Sequence, residues 1–224
     1  MSRRPAQISA SLLNADQAHL GDEVRRAVDG GVDSLHFDVM DGHFVEAITI
    51  GPAVVEAVRP IATLPYHAHL MVSRPLGQAH AFAEAGSDLI VAHVEADDDP
   101  AAVIDAIHGF GRAAGLALNP ETPVEAVLPY LGSIELLLVM TVHPGRGGQA
   151  FLREVLPKMA WLRDEIERRG LSVPIGVDGG VNVETIGAAH EAGGEVLVTG
   201  SALLGQQGDL APLVRALRVA ASAS

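Results

Sequence analysis

Short apolar runs alternate with helix-like runs along the whole chain, and no other feature restricts the possible folds as much. The strand-like runs are "AQISASL" (6–12), "SLHFDVM" (34–40), "LPYHAHLMV" (64–72), "DLIVAHV" (88–94), "GLALN" (115–119), "ELLLVMTV" (135–142), "VPIGVDG" (173–179) and "EVLVTG" (195–200). Helical stretches such as "ADQAHLGDEVRRAVDGG" and "NVETIGAAHEAGG" lie between them and end in glycine, a helix C-terminal signal. Strands alternating with helices imply a parallel sheet. Eight βα units in 224 residues predict an α/β fold, a single (β/α)8 TIM barrel spanning 1–224 as one domain. An open doubly wound sheet is the alternative. No linker or low-complexity tract divides the chain, and "EADDDP" (95–100) reads as a loop entering a helix.

A barrel keeps its chemistry at the C-terminal ends of its strands. The polar residues expected there are Ser11, His36, Asp38, His69, His93, Asn119, His143 and Asp178. Residues i and i+2 of a strand share a face. His36 therefore projects with Asp38, and His67 with His69, while Asp178 closes the seventh strand. Imidazoles and carboxylates gathered this way suit a divalent metal with N and O ligands. The competing reading of each histidine is a hydrogen-bonded core residue. With no cysteine in the chain, Zn2+, Fe2+, Mn2+ and Co2+ all remain open, and disulfides and thiol nucleophiles are excluded.

Charge narrows the partners. The formal net charge is −13, from 28 acidic and 15 basic side chains, which argues against a nucleic-acid partner. An anionic substrate must then be held by backbone N–H groups or local arginines. The only lysine, Lys158, sits in a helical run and is expected to be solvated there, which disfavours Schiff-base chemistry. No apolar run is long enough to span a membrane, and the start "MSRRPAQIS" lacks the apolar stretch of a signal peptide. A cytoplasmic location is the expectation.

Three glycine runs follow the last three strands: "HPGRGGQ" (143–149), "DGGVN" (178–182) and "TGSALL" (199–204). Glycine lets backbone N–H groups approach an anion, and the loops after strands seven and eight are the usual barrel phosphate site. The phosphate is expected near Gly147, Gly148, Gly179, Gly180, Gly200 and Ser201; ordinary tight turns are the plainer reading of these glycines.

The segments "SLLNAD", "LHFDVMDGHFV", "HLMVSRP", "HVEA", "LNPETPVEAV", "VLPK", "VDGGVN" and "GSALL" resemble the ribulose-phosphate 3-epimerase family over nearly the whole chain. The resemblance implies a (β/α)8 fold and one divalent metal held by His36, Asp38, His69 and Asp178. It implies that Asp38 and Asp178 are the catalytic acid/base pair. It places Ser11, His69, Met40, Met71 and Met140 beside the substrate, with Gly145 and Arg146 on a lid loop next to the phosphate glycines. On pattern alone the methionines would be core filler. The implied reaction inverts C3 of a ketose phosphate, interconverting D-ribulose 5-phosphate and D-xylulose 5-phosphate. Two bases move the proton through a metal-bound enediolate. A homo-oligomer, dimer or hexamer, is also implied.

The chain departs from the family pattern at several positions. Glu46 and Ala47 replace Pro-Asn, Arg146 replaces an aromatic residue, and Ala10 stands in the opening motif. His67 and Gly176 each replace a carboxylate two residues before a metal-ligand position. The expectation is a repacked layer below the metal, with His67 hydrogen-bonded near it or serving as an extra ligand. Arg146 is expected to meet an anionic group or to pair with Glu46. Three other functions compete: epimerisation of another ketose phosphate such as D-allulose 6-phosphate, a non-catalytic sugar-phosphate sensor, and a metal-free barrel decarboxylase. The retained aspartates weigh against the sensor, and the position of Lys158 against the decarboxylase.

Overall fold

The computed structural model describes residues 5–223; residues 1–4, part of the basic start, and residue 224 lie outside the described residues. The elements run β1 (Gln7–Ser11), α1 (Leu20–Asp29), β2 (Ser34–Met40), α2 (Pro52–Val58), β3 (Tyr66–Met71), α3 (Leu76–Glu84) and β4 (Leu89–His93). They continue with α4 (Pro100–Gly109), β5 (Ala113–Leu118), β6 (Leu136–Met140), α5 (Leu156–Arg168), β7 (Ile175–Asp178), α6 (Ile186–Glu191), β8 (Gly194–Thr199) and α7 (Ala211–Ser222). The strands are parallel, each pairs with the next, and β8 pairs with β1 to close the barrel. The open-sheet alternative is thereby excluded.

Helices outside and side chains inside cover both faces of a parallel barrel, so its strands are buried throughout. All seven residues of β2 are buried, including Ser34, His36 and Asp38. The outward set Leu35, Phe37 and Val39 joins Leu70, Ile90, Val103 and Leu162 in the core between sheet and helices. A second apolar cluster fills the interior on the β4–β8 side, with Val91, Ala117, Leu138, Met140, Val196 and Val198. The β1–β4 side carries the polar interior: Ser9, Ser11, Ser34, His36, Asp38, His69 and His93 are buried there.

At the N-terminal end of the barrel, an acidic residue just before β2, β4 and β6 accepts an amide from the preceding strand. Asp33 binds Ile8 N–H at 2.6 Å, Asp88 binds Tyr66 N–H at 2.8 Å and Glu135 binds Ala114 N–H at 2.8 Å. Each acid also meets a basic side chain, Arg218, Arg59 and His108 respectively. These contacts set strand register at the end of the barrel away from the chemistry.

Two expectations need correction. The fifth unit has no α-helix: 119–135 holds only 3-10 turns at Val124–Ala126 and Leu131–Ser133. Pro120, Pro123 and Pro129 fall within that span and interrupt any helix. Nor is Lys158 a free, fully solvated helix residue; it is half-buried. From α5 it donates to the carbonyls of Asn119, Pro120 and Thr122, tying down the loop that lacks a helix. The "EADDDP" loop does enter a helix, with Asp99 accepting from Ala101 N–H as N-cap of α4 and Pro100 at its first position.

Candidate active site

Strand register brings the polar residues of β2, β3 and β7 to one point. Asp38 pairs with His69, and Ser11 with His36. Asp178 ends β7 beside Met140. His36, Asp38, His69 and Asp178 each turn one ligand-type atom to a common centre, all within 4.8 Å of one another. His69 Nδ1 lies 3.3 Å from Asp38 Oδ1 and 3.4 Å from Asp178 Oδ2. His36 Nε2 lies 3.4 Å from Asp38 Oδ1 and 3.7 Å from Asp178 Oδ2.

The group fits a divalent cation. Both ring nitrogens of His36 are buried without a hydrogen-bond partner, although Nε2 faces two carboxylates. A buried donor set of two imidazoles and two carboxylates is costly unless a cation or protons neutralise it. Bonds of about 2.0–2.2 Å to N and O nearly close the span between these atoms.

Without a metal the charges are mutually arranged. Burial works to raise Asp38, but the neighbouring His36 and His69 imidazoles hold its carboxyl well below the usual carboxylate range. Burial works against a charged His69, yet Asp178 and Asp38 raise it to about 9. Ser11 Oγ donates to Asp38 Oδ2 at 2.6 Å and holds the carboxylate from the β1 side. Thr49 Oγ donates to the carbonyl of Asp38 at 2.6 Å and accepts from Met40 N–H, bracing the end of β2.

Above this centre opens a cleft continuous with solvent. Its lining includes Ser11, Asp38 and Asp178, the three methionines Met40, Met71 and Met140, and Gly145, Arg146, Gly147, Gly148, Gly179, Gly180, Gly200 and Ser201. His36 and His69 lie beneath it, buried. The sequence-derived residues therefore meet in one place. Backbone and side chains crowd the glycines of all three loops, after β6, β7 and β8. Gly180 has φ +68, and a Cβ there would fall 2.6 Å from Phe151 N. A Cβ on Gly147 or Gly200 would strike the amide of Asn14, at 2.6 and 2.7 Å.

Asn14, wedged between the loops after β6 and β8, was not singled out by the sequence; its place in "SLLNAD" was the available signal. Glu95 was likewise missed. His69 Nε2 lies 2.9 Å from His93 Nε2, and His93 Nδ1 lies 3.0 Å from Glu95 Oε2. Burial lowers His93 to about 4 despite Glu95. Glu95 itself is held low, against its burial, by His93, Asn119 and Thr122.

Other expectations fall away. His67 lies inside the barrel, paired in register with His36, but it is outside the four-residue group. Its Nδ1 is buried without a partner, and burial with the nearby charge of His36 lowers it to about 3. It is neither an extra member of the group nor bonded to it through Nδ1. On β7, Leu138 and Leu136 side chains crowd the space that a Cβ on Gly176 would take. Arg146 is exposed and, among the described residues, forms no ion pair with Glu46 or any other acid. His143 pairs with Glu121 at 3.1 Å in solvent, away from the cavity lining. Asp41 organises the loop after β2, accepting from His43, Phe44 and Ser73 N–H.

Comparison with known proteins agrees with this geometry. The profile of the ribulose-phosphate 3-epimerase family matches residues 7–204. The ribulose-phosphate 3-epimerase of Bacillus subtilis (strain 168) is 46% identical over 201 residues, covering 89% of this chain and 93% of that protein. That of Schizosaccharomyces pombe is 42% identical over 205 residues, covering 90% and 88%. Among solved structures, 3-hexulose-6-phosphate synthase from Salmonella typhimurium superposes with a TM-score of 0.73 over 97% of this chain and 99% of that one, at 17% identity, a likeness of fold alone.

Proposed function

The chain belongs to the ribulose-phosphate 3-epimerase family, and from that premise we propose that it interconverts D-ribulose 5-phosphate and D-xylulose 5-phosphate. The observation that carries this reading is the convergence of His36, Asp38, His69 and Asp178 beneath a cavity that both aspartates line. Inversion at C3 needs a proton taken from one face of the sugar and another delivered to the opposite face. Asp38 comes from β2 and Asp178 from β7, so two carboxylates approach the cavity from separate strands. Each is base in one direction and acid in the other, with an enediolate between. When bound, a divalent ion held by the four residues supplies Lewis-acid stabilisation of the negative charge on the sugar oxygens. Ser11 orients Asp38 through its hydroxyl. Met40, Met71 and Met140 give the reacting carbons an apolar wall that excludes water. The phosphate rests on the backbone at Gly147, Gly148, Gly179, Gly180, Gly200 and Ser201, with Gly145 and Arg146 on the covering loop.

The test is C3 hydrogen–deuterium exchange in D2O, followed by NMR, on ribulose 5-phosphate, xylulose 5-phosphate and allulose 6-phosphate. Fast exchange of the pentulose phosphates, abolished by chelator and by Asp38→Asn, is expected. No exchange with any of the three by metal-loaded protein would overturn the reading. A second reading, epimerisation of a different ketose phosphate, is favoured by the exposed Arg146 guanidinium at the cavity. If Arg146→Phe leaves kcat/KM unchanged for every ketose phosphate tried, Arg146 plays no part in choosing substrate. The proposal extends to one cytoplasmic barrel unit over residues 1–224 that assembles as a dimer or hexamer, which sedimentation of the purified protein would size.

A further inference from the structure

We propose that His93 and Glu95 are positioning residues for the metal centre, fixing through a two-imidazole relay which nitrogen of His69 is free to ligate. This rests on the metal reading above and adds two residues which that reading does not use. His69 turns Nδ1 to the carboxylates of Asp38 and Asp178. An imidazole ligates through a lone pair, so a ring ligating at Nδ1 carries its proton on Nε2. That Nε2 lies 2.9 Å from His93 Nε2, where two N–H groups would collide. His93 Nε2 must therefore accept, and the proton of a neutral His93 must sit on Nδ1. Nδ1 lies 3.0 Å from Glu95 Oε2, which accepts it.

Glu95 is fixed in turn. Its other oxygen, Oε1, accepts from Asn119 N–H at 2.7 Å and from the Thr122 hydroxyl. Lys158 grips the same loop through the carbonyls of Asn119, Pro120 and Thr122. The Phe44 ring, 4.8 Å from that of His93, packs against the relay, and the His69 and His93 rings meet edge to edge with planes 23° apart. Each donor thus has one acceptor, and reversing one assignment reverses all of them. With the opposite tautomer, His69 would present an N–H to the site in place of a lone pair. Partners of this kind orient ligands and typically account for 10–100-fold in metal affinity.

The plainer role for Glu95 is to fasten the β5 loop to β4, which would affect folding but not the ligand. Two measurements separate them. Co2+ affinity by chelator competition, with the Co2+ visible spectrum, is compared between wild type and Glu95→Gln. A loss of roughly 10–100-fold with an altered spectrum is expected, alongside a metal-free melting temperature close to wild type. The second measurement needs no variant: imidazole 15N shifts of the Zn2+-loaded wild type should report His69 protonated at Nε2 and His93 at Nδ1. Unchanged Co2+ affinity and spectrum, or the opposite tautomer of His93, would overturn the relay alone. A wild type that binds neither ion would overturn the metal reading and the relay with it.

Discussion

Asp38 accepts from Ser11 at 2.6 Å, faces both histidines and opens into the cavity, so single-atom changes around it carry the sharpest consequences. Ser11→Ala removes one donor to a buried carboxylate and leaves the four-residue group intact. A hydrogen bond to a charged group is worth about 1.5–3 kcal/mol. At about 1.4 kcal/mol per tenfold, kcat/KM should fall by roughly 10–100-fold, and the melting temperature should drop by several degrees. Steady-state kinetics with the pentulose phosphates reads the first quantity and calorimetry the second. Activity equal to wild type would show that Ser11 does not orient Asp38.

At the scale of elements, α5 substitutes for the helix missing after β5. Lys158 reaches the start of that loop, and Arg169 donates to the Leu128 carbonyl at 2.6 Å midway along it. Glu165 aligns the arginines. Hydrogen bonds from Arg168 and Arg169 hold its carboxyl at about 2, against an ordinary 4.5. A carboxyl held low in the fold contributes stability above its ordinary value and loses it as pH falls from about 4.5 through about 2. Glu165→Gln should therefore lower stability at neutral pH and flatten the acid limb of a urea-denaturation series across that window. An acid limb identical to wild type would remove Glu165 from the docking of α5. The effect should be modest, since Arg168 is largely solvated.

At the scale of the molecule, the barrel interior divides into an apolar sector, spanning β4 to β8, and a polar sector from β1 to β4. The four ligand-type residues link β2 and β3 to β7, 142 residues apart along the chain from His36 to Asp178. A cation there binds the folded chain and not the unfolded one. At 100 times its dissociation constant it should stabilise the fold by about 2.7 kcal/mol. Melting with excess Zn2+ or Mn2+ against melting in chelator measures this. The same melting temperature in both would mean that the group holds no metal.

Local chemistry was enough to read much of this protein from its residues. Alternation of strand-like and helix-like runs specified a helix-covered parallel sheet, because parallel strands need helices to cover them, and the count of eight units favoured a closed barrel over an open sheet. The i, i+2 spacing put His36 with Asp38 on one inward face, and glycine marked the loops where backbone comes closest to the cavity. Tertiary structure decided what depends on partners distant in sequence. Asn14 matters because the loops after β6 and β8 close on it, and Lys158 because a proline-interrupted crossover brings carbonyls within its reach. His67 has the same i, i+2 relation to His69 that His36 has to Asp38, yet it stays outside the group even though its register partner, His36, belongs to it. Periodicity tells a side chain which way to face, but only the closed barrel, through the shear and register of its strands, determines which of those side chains meet.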